Sequence, residues 1–139
     1  MMNLSVEQIT ANKPVTILKI QGELDGSAYL NLIQEAQNLY AAGTRHLLLD
    51  LSEMTFMSSA GLVGLHSVVK VMRGQEPPNM EGGWSVIHEA SHDVSSSTSS
   101  EAACKLLQPQ PRVQKTLSMT GFDNILEIHT DRETAVASF

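Results

Sequence analysis

The chain has 139 residues, which is enough for one domain with its own hydrophobic core. Its 42% hydrophobic and 17% charged residues are typical of a globular protein, and no apolar run approaches the roughly 20 residues of a membrane span. The net charge of -6, without a basic cluster, argues against a nucleic-acid partner. The single cysteine excludes an internal disulfide, and the first residues lack the pattern of a secretory signal, so we expect a cytoplasmic protein.

Two alternating segments open the chain and predict a pair of antiparallel strands. Residues 4–10 and 14–22 carry this alternation, a short connection joins them, and Gly22 is the expected end of the second strand. The next segment places its apolar residues on one helical stripe. For this helix we expect Ser27 as the N-cap and Gly43 as the left-handed residue beyond its end.

Strand and helix patterns continue to alternate in the centre of the chain. Residues 46–51 form a continuous apolar run, which predicts a central strand covered on both faces. From Leu62 the apolar spacing becomes helical, up to an expected helix end at Gly74. This alternation implies crossover connections, parallel strand pairing and an α/β layer fold.

Residues 75–103 interrupt this order. They combine a proline pair, a glycine pair and an unbroken run of serine and threonine, a composition that favours a long, flexible inserted loop.

Four further elements are expected after this insertion. The stretch "CKLLQ" predicts a returning strand, and a helix is expected to begin at Pro111 and end at Gly121. "NILEIH" predicts a last strand, and Thr130 with Glu133 in capping-box spacing predicts a final helix. The whole chain, residues 1–139, is therefore expected to be a single α/β domain of about five strands and about four helices.

Two adjacent serines, Ser58 and Ser59, lie between the apolar central segment and the second helix. The first N–H groups of a helix lack internal partners, so one serine is expected to accept a hydrogen bond as N-cap. The helix terminus also carries partial positive charge, so a second hydroxyl is well placed to receive a phosphate. Ala60 and Gly61 follow with little side-chain bulk, which would let a kinase or a partner approach closely.

Three segments resemble the STAS domain of bacterial anti-sigma factor antagonists: "VTILKIQGELD", "HLLLDLSEMTFMSSAGLVGL" and "VQKTLSMTGFDNILEIHTDRETAV". The resemblance covers residues 1–74 and 104–139. It implies a STAS-like mixed sheet packed with helices, no enzymatic activity and no cofactor. It also implies binding to an anti-sigma factor that is a serine kinase. Phosphorylation of one serine at the helix start would release this partner, and a serine phosphatase would reverse the release.

The resemblance also assigns residues. It places the phosphate acceptor on Ser59. Many family members carry aspartate just before the acceptor, but this chain has Ser58 there, so Ser58 is the second choice. Asp50 matches the acidic end of the central strand. Asp25 matches an acidic residue of the loop beside the acceptor, although an ordinary turn residue explains it as well. The expected partner-binding residues are Asp25, Ser58, Ser59, Ala60, Gly61 and Leu62.

Other functions are considered beside this one. A STAS domain can be a scaffold or an accessory subunit of a transporter, with a fixed partner and no phosphorylation. A serine hydrolase needs G-x-S-x-G, but Met57 replaces the leading glycine before Ser59.

A zinc-dependent hydrolase is the remote alternative, because "HEASH" formally matches H-E-x-x-H. His88 and His92 would bind the metal, with Glu89 as the base. The flanking glycines and serines leave at most about two helical turns, which argues against this site. No third ligand is evident nearby, so we expect no metal.

Overall fold

The fold is given by a computed structural model, which describes residues 2–74, 103–124 and 126–139. In this part of the chain there are six strands: β1 (Asn3–Thr10), β2 (Pro14–Leu24), β3 (Leu47–Asp50), β4 (Met54–Met57), β5 (Cys104–Leu107) and β6 (Ile128–His129). It also contains four α-helices: α1 (Tyr29–Ala41), α2 (Ser59–Met72), α3 (Pro111–Thr120) and α4 (Arg132–Ala137). The expected α/β class is confirmed.

The predicted insertion at residues 75–103 lies outside the described residues, except for Ala103. His88 and His92 belong to this segment, so the structure does not bear on the zinc hypothesis there.

The strands form one mixed sheet in the order β1-β2-β3-β5-β6. The first two strands pair antiparallel as predicted, and the pairs β2–β3, β3–β5 and β5–β6 are parallel. All four residues of β3 are buried, because a strand at the centre of the sheet is covered on both faces. The prediction of a central strand within residues 46–51 is therefore confirmed.

Strand β2 does not end at Gly22 as predicted. Gly22 has a φ of 92°, a conformation that glycine adopts without strain, and the pairing register shifts between Gly22 and Glu23. Beyond this bulge, β2 continues to Leu24 and pairs with β4, a strand that the sequence analysis did not predict. The extension brings the end of β2 beside the end of β4, where α2 begins.

Two hydrophobic clusters fill the faces of the sheet. The larger one packs α1 and α2 against one face and includes Leu18, Ile20 and Leu49. The smaller one packs α4 against the other face, over Ile17 and Leu48. Helices α1 and α2 approach closely at Gly64. A Cβ added there would lie only 3.0 Å from the Cβ of Tyr29.

The helix ends confirm the glycine predictions. Gly43 has a φ of 110°, and its N–H donates to the Tyr40 carbonyl at 3.1 Å. The Thr44 N–H donates to the Leu39 carbonyl at 3.0 Å, which completes a Schellman motif at the end of α1. Gly121 follows α3 in the same left-handed region.

Three local predictions were wrong at element boundaries. Ser27 is not the N-cap of α1, because Ala28 takes that position and makes no side-chain cap bond. The final helix is capped by Asp131, whose carboxylate accepts the Thr134 N–H at 2.8 Å, and not by the expected Thr130–Glu133 box. The last strand is only two residues long. A 3-10 turn (Phe122–Asn124) occupies the start of the segment predicted as strand.

A buried lysine on β5 holds the end of α4. The side chain of Lys105 is 4% exposed and forms an ion pair with Glu127 at 2.7 Å. Its ammonium group also donates to the carbonyl of Ser138 at 3.0 Å and to the Ser138 hydroxyl at 2.9 Å. These bonds satisfy the buried charge, because an ammonium group buried without partners would be strongly destabilising.

Candidate functional site

The candidate site lies where the carboxyl ends of β2 and β4 meet the starts of α1 and α2. Because β2 and β4 are parallel, the loops that leave them emerge at the same edge of the sheet. In α/β folds this edge is the usual position of functional residues. Asp25 follows β2 and Ser58 follows β4, so both predicted site segments reach this edge.

Ser58 is the N-cap of α2. Its backbone is extended (φ -88°, ψ 178°), and its hydroxyl oxygen accepts the Gly61 N–H at 3.2 Å. Its own N–H donates to the Leu24 carbonyl at 3.0 Å, which joins the helix start to the end of β2. The Ser58 hydroxyl also lies 3.4 Å from the same carbonyl oxygen. This side chain is therefore used in holding the structure together.

Ser59 differs from its neighbour in every one of these respects. It is the first residue of α2, it is exposed, and its hydroxyl forms no hydrogen bond with the described part of the chain. The first N–H groups of a helix provide partial positive charge at this position. The geometry therefore leaves the Ser59 hydroxyl available for chemical modification.

Gly61 allows α2 to start this close to β2. A Cβ at this position would lie 2.3 Å from the Leu24 carbonyl oxygen and 2.8 Å from the Cγ of Met57. Real Cβ atoms essentially never come so close to another atom, so any larger residue would displace the first turn of α2. Gly26 in the neighbouring loop is far less confined, with only the Cβ of Ala60 at 4.0 Å.

Asp25 shapes the loop beside the first turn of α2. Its carboxylate accepts the Ser27 hydroxyl at 2.6 Å and the Ser27 N–H at 3.0 Å. These bonds, the hydroxyl first and then the amide, hold the pKa of Asp25 below its ordinary value. Asp25 therefore stays ionised and fixes its loop, and its side chain remains partly accessible.

Asp50 has a different position from Asp25. It is 9% exposed at the end of β3, and its carboxylate accepts the Ser52 N–H at 3.0 Å. Gln110 donates to the Ser52 carbonyl at 2.9 Å, which ties the same turn to the start of α3. The structure thus gives Asp50 a role in closing the turn between β3 and β4.

The six predicted partner-binding residues come together at this edge, with unequal exposure. Ser59 is exposed, whereas Gly61 is buried and packs against the end of β2. The other four are half-buried: Asp25, Ser58, Ala60 and Leu62.

Two exposed apolar side chains near these segments are absent from the predicted site. Leu30, in the first turn of α1, is 55% exposed, and Phe56 on β4 is 40% exposed. Leu30 falls outside the apolar stripe of its helix, and this departure was the available signal.

No group of three histidine, cysteine, aspartate or glutamate side chains is placed to hold a metal ion within residues 2–74, 103–124 and 126–139. Among the helices described, none is long and apolar enough to cross a membrane.

Four solved structures share the fold of this domain. An anti-sigma factor antagonist from Mycobacterium paratuberculosis is 17% identical, with a TM-score of 0.66 over 99% of this chain and 93% of that one. A provisionally assigned anti-sigma factor antagonist from Thermotoga maritima is 18% identical, with a TM-score of 0.65 over 94% and 90%. The unphosphorylated form of the anti-sigma factor antagonist SpoIIAA is 15% identical, with a TM-score of 0.53 over 95% and 92%. The phosphorylated form of Bacillus SpoIIAA also matches, at 16% identity and a TM-score of 0.53 over 95% and 96%. At these identities the similarity establishes the fold.

The sequence itself gives the family. The profile of the STAS domain matches residues 7–76, just over half of the chain, and this protein belongs to the STAS domain family. The matched range contains Asp25 and the whole start of α2. No curated protein matches the chain at a significant level.

Proposed function

We propose that this protein is an anti-sigma factor antagonist switched by phosphorylation of Ser59. The observation that carries the proposal is the division of roles between the two serines. Ser58 caps α2, whereas the Ser59 hydroxyl is exposed and makes no bond with the described residues. A kinase can therefore modify Ser59 without removing a hydrogen bond that stabilises the fold. STAS family membership and the fold shared with anti-sigma factor antagonists support the partner class.

In the unphosphorylated state, the partner would be a serine-kinase anti-sigma factor that binds the edge formed by the Asp25 loop and the α2 start. Leu30 and Phe56 would add apolar contact area at or near this edge, and Asp25 a fixed negative charge. Binding would sequester the anti-sigma factor and release its sigma factor. The protein would therefore act by binding, without catalysing a reaction.

A phosphate on Ser59 would change the surface and leave the fold intact. It adds about -1.5 to -2 charge at neutral pH, which the α2 N-terminus tolerates. The same charge would lie within an interface that has formed around an exposed neutral hydroxyl. Like-charge contact or desolvation of the phosphate there is expected to cost several kcal/mol of binding free energy, on the order of 10³-fold in affinity. A serine phosphatase would restore binding.

Mass spectrometry of the protein from its native cells tests the acceptor. We expect one phosphate, mapped by fragmentation to Ser59, in some growth conditions. Ser59→Ala should abolish it, and Ser58→Ala, the matched control, should keep it. Phosphate on Ser58 would contradict the assignment of roles. Absence of phosphate in every condition would favour a constitutive scaffold or a transporter subunit.

A binding measurement tests the switch itself. The serine-kinase anti-sigma factors of the same organism are the partners to assay, by calorimetry or surface plasmon resonance. Ser59→Ala should bind as tightly as the unphosphorylated wild type, and Ser59→Asp should bind at least tenfold more weakly. Equal affinities for Ser59→Asp and the wild type would refute the switch and leave the fold assignment untouched.

A further inference from the structure

A cavity of about 420 Å³ lies at the opposite end of β2 from Ser59. It is formed by the start of β2, the end of β1 and the connection from α1 to β3. Thr16 at the cavity and Leu24 at the candidate site are separated by roughly 26 Å along the strand, at ~3.3 Å per residue. This distance separates the cavity from the proposed partner surface. The cavity volume is within the range of small-molecule sites.

The walls of this cavity favour a negatively charged ligand. Among the described residues that line it, none carries a carboxylate and six have polar side chains. The six are Gln8, Thr10, Thr16, Thr44, Arg45 and His46. The chain as a whole carries a net charge of -6, whereas the described lining of this cavity carries one cation, Arg45, and no acidic side chain. Glu7, the acidic residue next to the lining in sequence, forms an ion pair with Arg132 of α4.

Lys13 adds positive charge close to the cavity wall, whereas the charge of Lys105 is paired with Glu127. Burial, and then the positive charges of Lys13 and Lys105, hold the pKa of His46 below its ordinary value. His46 is therefore neutral at pH 7 and can donate or accept a hydrogen bond. The carbonyl end of α1 would oppose an anion at this wall. The Schellman bonds and Arg45 satisfy the Leu39 and Tyr40 carbonyls there.

Arg45 is held in a defined position before any ligand binds. Its guanidinium carbon lies 3.8 Å from the centre of the Tyr40 ring, and Nη1 donates to the carbonyls of Tyr40 and Thr44 at 2.8 and 2.9 Å. Within the described residues these bonds use Nη1 alone, which leaves Nε and Nη2 as a two-pronged donor for an oxyanion. Thr16 and Thr44 hydroxyl oxygens lie 3.3 Å apart and further order the wall. Such preorganisation lowers the entropic penalty of binding.

We propose that this cavity binds a small molecule with an oxyanion group, a carboxylate or a phosphate, on a compact apolar body. Arg45 would take the oxyanion through its free edge, and the hydroxyls of Thr10 and Thr44 would complete the contacts. The apolar wall at Ile9 and Val15 would contact the body of the ligand. This site is independent of the phosphorylation proposed for Ser59.

The test is a ligand titration of the full chain, monitored by ¹H–¹⁵N correlation NMR. The probes are benzoate and phenyl phosphate, with benzyl alcohol as the uncharged analogue. We expect saturable shifts at Gly43, Thr44 and Arg45, and at least tenfold weaker binding of benzyl alcohol. The stronger of the two anions identifies the carboxylate or the phosphate as the preferred group.

Variants distinguish a specific anion site from general attraction of anions to positively charged side chains. Arg45→Gln should weaken anion binding at least tenfold. Arg112→Gln removes the same charge from an exposed position on α3 and should have no effect. Thr10→Val is a second variant, to be used if Arg45→Gln fails to fold, and it should weaken binding several-fold. Thr10 is exposed, and its side chain forms no hydrogen bond in the described structure. The proposal is overturned by absence of saturable shifts up to about 10 mM anion, by equal loss in both arginine variants, or by equal affinity for benzyl alcohol.

Discussion

Gly61→Ala is the substitution whose effect follows most directly from the geometry of the site. The new Cβ would lie 2.3 Å from the Leu24 carbonyl oxygen, which is a backbone atom and cannot rotate away. To reach even a 3.0 Å separation, the start of α2 must move by about 0.7 Å from β2. That carbonyl also accepts the Ser58 N–H at 3.0 Å, so the shift strains the cap as well.

The contributions to the free energy of unfolding have different signs. Overpacking of this kind costs ~1–3 kcal/mol, and weakening the Ser58 hydrogen bonds costs ~1–2 kcal/mol more. Alanine has the higher helix propensity, which returns up to ~1 kcal/mol. We therefore expect Gly61→Ala to lower the free energy of unfolding by ~1–4 kcal/mol. The midpoint temperature should fall by roughly 3–12 °C in a domain of this size.

Urea denaturation monitored by circular dichroism is the assay, and Gly26→Ala is the matched control. Its added Cβ would have one neighbour within 4 Å, the Cβ of Ala60 at 4.0 Å. Its φ lies outside the positive range, so the control should be neutral or stabilising by up to ~1 kcal/mol. A loss below ~0.5 kcal/mol for Gly61→Ala, or equal losses for both variants, would refute the close packing of α2 on β2.

Four other substitutions probe the helix start, the buried lysine and the acidic loop. Ser58→Ala should lose ~1 kcal/mol of stability in urea titrations, whereas Ser59→Ala should stay within ~0.5 kcal/mol of the wild type; equal losses would contradict the cap. Lys105→Met should speed amide hydrogen exchange in α4 about fivefold, for ~1 kcal/mol of lost bonding, and unchanged exchange would argue against its anchoring role. Ser27→Ala should raise the pKa of Asp25 toward its ordinary value in an NMR titration. Because that pKa is lowered in the folded protein, the stabilisation from Asp25 is present above its unfolded pKa and is lost as the pH falls through the folded pKa. An unchanged pKa in the variant would remove Ser27 as the cause.

The elements that the sequence predicts well are those with strong periodicity or clear end signals. The buried run of β3, the apolar stripe of α1 and the glycine ends of α1 and α3 depend on local chemistry, and the structure confirms them. Strand β4 lacks this kind of pattern. Its pairing with β2 requires a register shift at Gly22, and this bulge depends on a partner some 30 residues away along the chain.

The site shows the same division between local and non-local information. The capping potential of the serine pair is readable from the sequence, but two candidates remained open there. The structure identifies Ser58 as the cap, because its hydroxyl accepts the Gly61 N–H, and the Leu24 carbonyl of a distant strand holds its own N–H in place. The N-cap prediction for α1 was wrong for a related reason. Ser27 was expected to cap α1, yet its hydroxyl is taken by Asp25 two residues earlier.

The bulge at Gly22 also has a consequence for the order in which the protein folds. The first eight residues of β2 pair with β1 across a three-residue connection, so this hairpin closes with little loss of chain entropy. The last three residues of β2 must wait for β4, which requires closing a loop of about 30 residues that contains α1 and β3. We therefore expect the hairpin to gain protection from hydrogen exchange early during refolding, and the Leu24–Ser58 contact to form late. A nascent chain would acquire its hairpin well before it could present a surface to any partner.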